Sequence, residues 1–173
     1  MSEKEIQEIV QILKRCEVFV GLHDNDLTKI ASLPSIHQET YEADETISLE
    51  NEPAENLYIL VEGQVGLRLK VELVLESQPR EIKVDTVSKG SIFGWSALVH
   101  PYASSRTAVC SMKSKVLVIN GKELIQLMDN DEHIGYEVMR SIACVIASRL
   151  RTPNNYFWAE LLKARNGMIS LNE

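Results

Sequence analysis

The residues best suited to chemistry lie in one stretch of the chain, residues 89–109. Gly94 permits a tight backbone turn and the close approach of a ligand to the main chain. Residues 96–99 can then form one helical turn whose free N–H groups face an anion. Arg106 follows the glycine by twelve residues and offers a planar guanidinium suited to phosphate oxygens. The stretch can bind an anion, but a glycine turn and an arginine at this spacing more often belong to an ordinary surface loop, so this pattern alone is a weak signal.

The sequence lacks the signatures of catalysis. A cupin-type metal enzyme needs clustered histidines with a carboxylate, but the four histidines stand apart at His23, His37, His100 and His133. No GxSxG, P-loop or paired-carboxylate motif is present. Free thiols in a reducing compartment explain the three widely spaced cysteines better than a disulfide or zinc site does: Cys16, Cys110 and Cys144. We expect a protein that is not an enzyme and has no metal, with a cupin-like metal enzyme as the weaker alternative.

Charge and composition argue against two classes of partner. The 173 residues are 45% hydrophobic and 25% charged, which fits one globular domain. The formal charge of −7 disfavours a large nucleic-acid footprint. The N-terminus has no apolar signal segment, and no run of apolar residues is long enough to span a membrane. We therefore expect a cytoplasmic domain that does not enter a membrane.

The spacing of apolar residues divides the chain into three zones, whose helices and strands would position residues 89–109. Residues 1–35 predict N-terminal helices, with one apolar face made by Ile6, Ile9, Val10 and Leu13. Residues 36–120 predict strands, because apolar and polar residues alternate over 65–76 before a turn at 77–80 reverses the chain. Residues 121–173 return to helix, with apolar residues every four positions at Ile134, Val138, Ile142, Ile146 and Leu150.

The order of these zones predicts the fold. It is mainly β with flanking helices: a β-roll or jelly roll (double-stranded β-helix) of about eight strands, preceded by helices and followed by a long helix. That last helix is apolar around much of its circumference and needs burial on more than one side. It packs either on the sheet alone or on the sheet and a second copy, and we favour a homodimer through this helix.

Several segments resemble, in order, the motifs of the cyclic-nucleotide-binding domain family. Residues 18–22, 50–59, 62–65 and 89–94 resemble its FxxL, EGDPADxLYxI, SGxV and GDxFG segments. In the second of these Asn51 replaces a glycine, which asparagine can do because it tolerates left-handed backbone. The family's phosphate-binding cassette, F-G-E-[LI]-A-L-L and then R-[AST]-A-x-V, is matched at Phe93, Gly94, Ala97, Leu98, Arg106, Ala108 and Val109.

The resemblance implies a set of ligand-binding residues: Gly94, Trp95, Ser96, Ala97, Leu98, Arg106, Thr107 and Ala108. The chain departs from the family at Trp95, where the family glutamate accepts a hydrogen bond from the ribose 2′-hydroxyl. An indole accepts none, so cyclic-nucleotide affinity would fall by roughly 1.5–3 kcal/mol. Trp95 either stacks on a flat ligand or reshapes the pocket. Thr107 stands where some members favour guanine with a hydroxyl, and the base would be contacted near residues 152–155.

Two functions follow from the resemblance. The first is a sensor that binds cAMP, cGMP or a related phosphorylated molecule, without a cofactor, and signals through its C-terminal helices to a partner protein or to the dimer. The second is a degenerate domain that binds no nucleotide and serves for dimerisation or as a scaffold, which Trp95 supports. Family members that are transcription factors carry a helix-turn-helix after the long helix. Only some twenty residues follow Leu150 here, so we expect no direct DNA binding.

Overall fold

The computed structural model describes residues 1–71 and 79–151. Two helices come first, α1 (Glu3–Leu13) and α2 (Asp24–Ala31). A capping box begins α1, since the Ser2 hydroxyl accepts the Glu5 N–H at 3.3 Å and the Glu5 carboxylate accepts the Ser2 N–H at 2.6 Å. The predicted apolar face of α1 is turned toward the core, where Ile9, Val10 and Leu13 are buried.

Eight strands are present in the described part of the chain and form two antiparallel sheets. The first sheet has the order β1-β8-β3-β6 and the second has the order β2-β7-β4-β5. This arrangement confirms the prediction of a mainly β jelly roll with flanking helices. The strands are β1 (His37–Tyr41), β2 (Thr46–Ser48), β3 (Asn56–Glu62), β4 (Val65–Val71), β5 (Arg80–Val87), β6 (Ile92–Phe93), β7 (Thr107–Cys110) and β8 (Ser114–Asn120).

The predicted hairpin is formed by β4 and β5. The two strands pair in antiparallel register from Val65 opposite Val87 to Val71 opposite Arg80, and the remaining part of the predicted alternation and turn, residues 72–78, lies outside the described residues. On its other side β4 pairs with β7. The second sheet therefore places the start of β7, which directly follows Arg106, beside the centre of the hairpin.

The core consists of two clusters, on opposite faces of the first sheet. Alternate residues of β3 point to opposite sides, as strand geometry requires. Leu57 and Ile59 join the helix-side cluster, in which the first sheet packs against the helices. Tyr58 and Leu60 join the inter-sheet cluster between the two sheets, where the rings of Tyr58 and Phe93 stack at 4.8 Å. Both faces of β3 are thus buried, which explains its continuous apolar run.

The C-terminal helices are α3 (Gly121–Asn130) and α4 (Glu132–Arg151). The side chain of Asn120 caps α3 by accepting the N–H groups of Lys122 and Glu123 at 3.1 and 3.2 Å. One face of α4 enters the helix-side cluster through Ile134, Val138, Ile142 and Val145. The part of the predicted helical zone that follows residue 151 lies outside the described residues. None of the described helices combines the length with the hydropathy that a membrane span requires.

Candidate functional site

A cavity of about 370 Å³ lies between the second sheet, the segment after β6 and α4. Its volume is at the lower end of the range of about 300–1,000 Å³ usual for small-molecule sites. Strands β2, β4, β5 and β7 supply one part of the wall and α4 supplies another. The lining residues are Ser48, Leu67, Leu69, Val84, Gly94, Trp95, Ser96, Ser104, Ser105, Arg106, Ala108, Ile146 and Arg149.

Gly94 turns the chain from β6 into the cavity wall. Its φ of +72° is left-handed, and a Cβ at this position would lie 2.6 Å from the Asn56 carbonyl oxygen and 2.8 Å from a ring carbon of Tyr58. The position therefore needs glycine for its backbone angle and for space. Asn51 also has left-handed backbone, with a φ of +67°, as expected from the sequence.

A short 3₁₀ turn, Trp95–Leu98, follows Gly94 and begins one residue earlier than the predicted helical turn. The Gly94 carbonyl accepts the N–H of Ala97 at 3.0 Å. Ser96 lines the cavity, whereas Ala97 and Leu98 are not among the lining residues. Leu98 packs into the helix-side cluster instead. The turn thus presents its first half to the cavity and anchors its second half in the core.

Trp95 is half-buried and contributes to the cavity wall. Its side chain also packs against the helix-side cluster. The cavity volume of about 370 Å³ is the space that remains beside the indole. Trp95 therefore gives the site an aromatic surface at the position where the resemblance would place an acidic side chain.

Arg106 lines the cavity from the residue before β7. Its Nη1 lies 3.8 Å from Asp85 Oδ2, which is longer than a hydrogen bond. Among the described residues, no acceptor lies within hydrogen-bond distance of this guanidinium. Its neighbour Thr107 is occupied elsewhere, since its hydroxyl accepts the Glu50 N–H at 3.1 Å and it does not line the cavity. Ala108 does line the cavity.

Arg149 brings a second guanidinium into the cavity wall from α4. Its Nε lies 3.6 Å from Asp85 Oδ2 and its Nη2 lies 3.8 Å from Glu17 Oε1. Nη2 also donates a hydrogen bond to the Ile92 carbonyl oxygen. Burial lowers the pKa of Arg149, and the charges of Asp85 and Glu17 oppose that shift. The guanidinium remains charged because an arginine is not deprotonated in proteins at ordinary pH.

The sequence interpretation missed Arg149 and looked for ligand contacts farther along, at residues 152–155, which lie outside the described residues. A signal was present. Arg149 follows Val145 by four residues and Ile142 by seven, so all three share one helical face. Val145 and Ile142 are buried. An arginine on the buried face of an amphipathic helix requires a polar site beneath it.

Both backbone polar groups of Ile92, two residues before Gly94, are hydrogen-bonded to side chains from distant parts of the chain. Glu17, between α1 and α2, accepts the Ile92 N–H at 3.0 Å. Arg149 donates to the carbonyl oxygen of the same residue. Strand β6 is therefore tied by side chains to the N-terminal helical region and to α4. Arg149 thus provides a direct hydrogen bond from α4 to the strand that leads into the cavity wall.

The two sheets and flanking helices define a jelly-roll domain with a cavity between its second sheet and α4. Residues 38–131, more than half of the chain, match the family model described as the cyclic nucleotide-binding domain. The chain therefore belongs to the cyclic nucleotide-binding domain family. Comparison with curated proteins gives no match.

Solved structures of cyclic nucleotide-binding proteins and domains are similar to this chain in fold. A protein of Geobacter metallireducens GS-15, named for cyclic nucleotide binding, is 29% identical over 81% of this chain and 96% of its own, with a TM-score of 0.66. A cyclic nucleotide-binding domain of Methylobacillus flagellatus KT is 18% identical over 91% of this chain and 84% of its own, with a TM-score of 0.71. The regulatory domain of Toxoplasma gondii PKA, crystallised with cAMP, is 19% identical over 73% of this chain and 46% of its own, with a TM-score of 0.60.

Proposed function

We propose that this domain is a non-catalytic sensor that binds cAMP, cGMP or a related phosphorylated small molecule in the cavity beside Arg106. The observation that carries the proposal is the charge of the cavity wall. Arg106 and Arg149 both line it, and no carboxylate is among its lining residues within the described chain. Asp85 lies 3.6–3.8 Å from both guanidinium groups, but it does not line the cavity, so the charged side chains that an incoming ligand meets are positive and favour an anion.

The hydrogen-bonding groups of the cavity suit phosphate oxygens. Arg106 has guanidinium donors that are not used by described residues, and a planar fork of this kind can bind two oxygens at once. Hydroxyl groups add further donors around it, from Ser48, Ser96, Ser104 and Ser105. Family membership and the cAMP named for the Toxoplasma gondii regulatory domain support a cyclic nucleotide as the first ligand to test.

The signalling part of the proposal rests on α4. Ile146 and Arg149 belong both to this helix and to the cavity wall, so a bound ligand contacts the helix directly. A ligand that contacts α4 better in one packing than in another shifts the helix toward that packing. The change would pass to a cytoplasmic partner protein or to a second copy joined along α4, where Tyr136 and Met139 are exposed.

A scaffold without nucleotide binding is the second candidate, and Trp95 favours it. The indole offers no acceptor for a ribose hydroxyl. Calorimetric titration of the purified chain with cAMP and with cGMP separates the two functions, with a thermal-shift assay as the independent readout. Saturable heat and a raised Tm are expected for the sensor. Neither heat nor a shift at millimolar ligand would leave the scaffold as the function.

Trp95→Glu is expected to strengthen cAMP binding about tenfold, because a carboxylate would accept a charge-assisted hydrogen bond from the ribose 2′-hydroxyl. Calorimetry on the variant and on the unaltered protein measures the ratio. Trp95→Phe is the matched control, since it keeps an aromatic wall and adds no acceptor, and it should bind cAMP as the unaltered protein does. Equal cAMP affinity in Trp95→Glu would mean that the tryptophan does not limit the site.

Asp85→Asn is expected to tighten anion binding about fivefold, the effect of removing a weak, partly exposed counter-ion. Asp85 Oδ2 lies near both guanidinium groups, whereas Oδ1 accepts the Thr86 N–H at 2.8 Å. Asparagine keeps an acceptor for that N–H and loses the charge. Titration with cAMP and with inorganic phosphate measures the effect. Glu81→Gln, which removes a carboxylate paired with Arg68 at 3.6 Å, is the control, and weaker binding in Asp85→Asn would contradict the prediction.

A further inference from the structure

Two buried serines differ from the other buried polar residues of the described chain. Five polar residues there are buried: Asp26, Ser96, Ser104, Thr107 and Ser114. The side chains of Asp26, Thr107 and Ser114 each have a hydrogen-bond partner. Ser96 and Ser104 are only 7% and 8% exposed, yet among the described residues neither hydroxyl has a hydrogen-bond partner. Both of these serines line the cavity.

The hydroxyl oxygens of the two serines are open to the cavity. In the buried and half-buried residues that the structure describes, every fully enclosed side-chain oxygen or nitrogen has a hydrogen-bond partner. The unpartnered oxygens of Ser96 and Ser104 therefore keep some accessible surface. Because both residues line the cavity and are otherwise enclosed, that surface faces the cavity or, for Ser104, also the adjoining hollow that shares Gly94 with it.

The local fold needs neither hydroxyl. The main chain of Ser104 is already held, since its N–H donates to the Glu52 carbonyl oxygen and its own carbonyl oxygen accepts the Asn51 N–H, each at 2.8 Å. Ser96 stands where the cassette pattern of the family has leucine or isoleucine. An enclosed hydroxyl without a partner costs stability. A partner supplied by a bound ligand accounts for serine at both positions.

The kind of ligand group follows from the acceptors in the cavity wall. Its charged side chains, Arg106 and Arg149, can only donate hydrogen bonds, and so can the indole of Trp95. The side-chain acceptors among the lining residues are therefore the hydroxyl oxygens of four serines: Ser48, Ser96, Ser104 and Ser105. A serine hydroxyl accepts as well as donates, so the two enclosed serines can pair with a ligand hydroxyl, which needs an acceptor for its own proton.

We infer that Ser96 and Ser104 are specificity-determining residues that hydrogen-bond a hydroxyl group of the ligand, which is therefore a phosphate compound with a free sugar hydroxyl. The inference rests on the proposed function, because it concerns the same cavity. A 3′,5′-cyclic nucleotide has one such group, the ribose 2′-hydroxyl, and Trp95 cannot accept its proton. The two serines take the place of the family's acidic side chain, with neutral and therefore weaker hydrogen bonds.

Calorimetric titration of the full chain with cAMP, cGMP and their 2′-deoxy forms tests the inference. Each ribose form is expected to bind about tenfold more tightly than its 2′-deoxy form, because the 2′-deoxy form leaves the enclosed hydroxyls unpaired. Ser96→Ala and Ser104→Ala should each weaken the binding of the ribose forms about threefold. In the double variant that combines both changes, the ribose and 2′-deoxy forms should bind equally tightly.

Ser114→Ala is the matched control for a buried serine. Its hydroxyl donates to the Met112 carbonyl oxygen at 2.7 Å and accepts the Gln64 N–H at 3.1 Å, and Ser114 does not line the cavity. This variant should have a Tm lower by about 5 °C and unchanged affinities. Ser96→Ala and Ser104→Ala should show the opposite pattern, because they lose no hydrogen bond in the unliganded protein. Their Tm without ligand should be unchanged or raised, whereas a structural role would lower it.

The outcomes distinguish this inference from the proposed function. Equal binding of the ribose and 2′-deoxy forms to the unaltered protein would overturn the inference and leave the sensor function in place. A ribose preference that persists in the double variant would do the same, as would a double variant that weakens both forms equally, since the serines would then contact the phosphate. Absence of binding by all four nucleotides would overturn the sensor function, and the inference with it. A ribose preference that disappears in the double variant supports both.

Discussion

Arg106→Ala is expected to weaken the binding of cAMP, or of any phosphate ligand of this cavity, about a hundredfold. The loss corresponds to about 3 kcal/mol, the upper range for hydrogen bonds to a charged group. The fold should be unaffected, because the guanidinium makes no hydrogen bond to the described residues and its contact with Asp85 is long, at 3.8 Å. Calorimetry measures the affinity and thermal unfolding measures the Tm.

Arg68→Ala is the matched control for this variant. Arg68 lies on β4, opposite Thr107 in the register, and makes a similar long contact with Glu81 at 3.6 Å. It does not line the cavity, so its removal should leave ligand affinity unchanged. If the Arg106→Ala and Arg68→Ala proteins bound phosphate ligands equally tightly, Arg106 would not be a ligand-binding residue.

Gly94→Ala is expected to lower the free energy of unfolding by about 1–3 kcal/mol and also to weaken ligand binding. An alanine at a φ of +72° is strained. Its Cβ would stand 2.6 Å from the Asn56 carbonyl oxygen, which is backbone and cannot rotate away. The 3₁₀ turn must move to relieve the contact, and Trp95 and Ser96 move with it. Denaturant unfolding and calorimetry measure the two effects.

Gly66→Ala is the control for the glycine variant. Gly66 lies on β4, its φ is not left-handed, and an added Cβ would meet side-chain atoms at 3.4 Å. That is an ordinary contact distance, so stability should change by less than about 1 kcal/mol. If Gly94→Ala were as stable as Gly66→Ala and bound ligand equally well, the close approach at Gly94 would have no role in the site.

Much of the fold could be predicted because its signals are local. The alternation in β4 and the four-residue spacing of Ile134, Val138 and Ile142 each follow from the geometry of a single strand or helix. The motif order then indicated how these elements assemble. The pairing of β4 with β7 could not be read from periodicity, because the partners are separated by some forty residues. That pairing nevertheless decides where Arg106 stands.

Part of the candidate site could be predicted because several of its residues are neighbours in the sequence. Gly94, Trp95 and Ser96 are neighbours in sequence, and the structure places all three at the cavity with Arg106 and Ala108. Thr107 illustrates the limit, because adjacent residues on a strand point to opposite sides and its hydroxyl bonds to Glu50 instead. Arg149 is 43 positions beyond Arg106 and reaches the cavity only because α4 packs across the sheet. Its role depends on tertiary packing that no short motif encodes.

The boundary between the two hydrophobic clusters has a mechanical consequence. Leu67 and Ala108 belong to the inter-sheet cluster, whereas Trp95 and Ile146 pack against the helix-side cluster, and all four line the cavity. Because alternate residues of β3 belong to the two clusters, the first sheet holds them together, and at the cavity side chains of both clusters face one space. A ligand in that space would touch both clusters at once, so its binding would tighten the packing on both sides of the sheet.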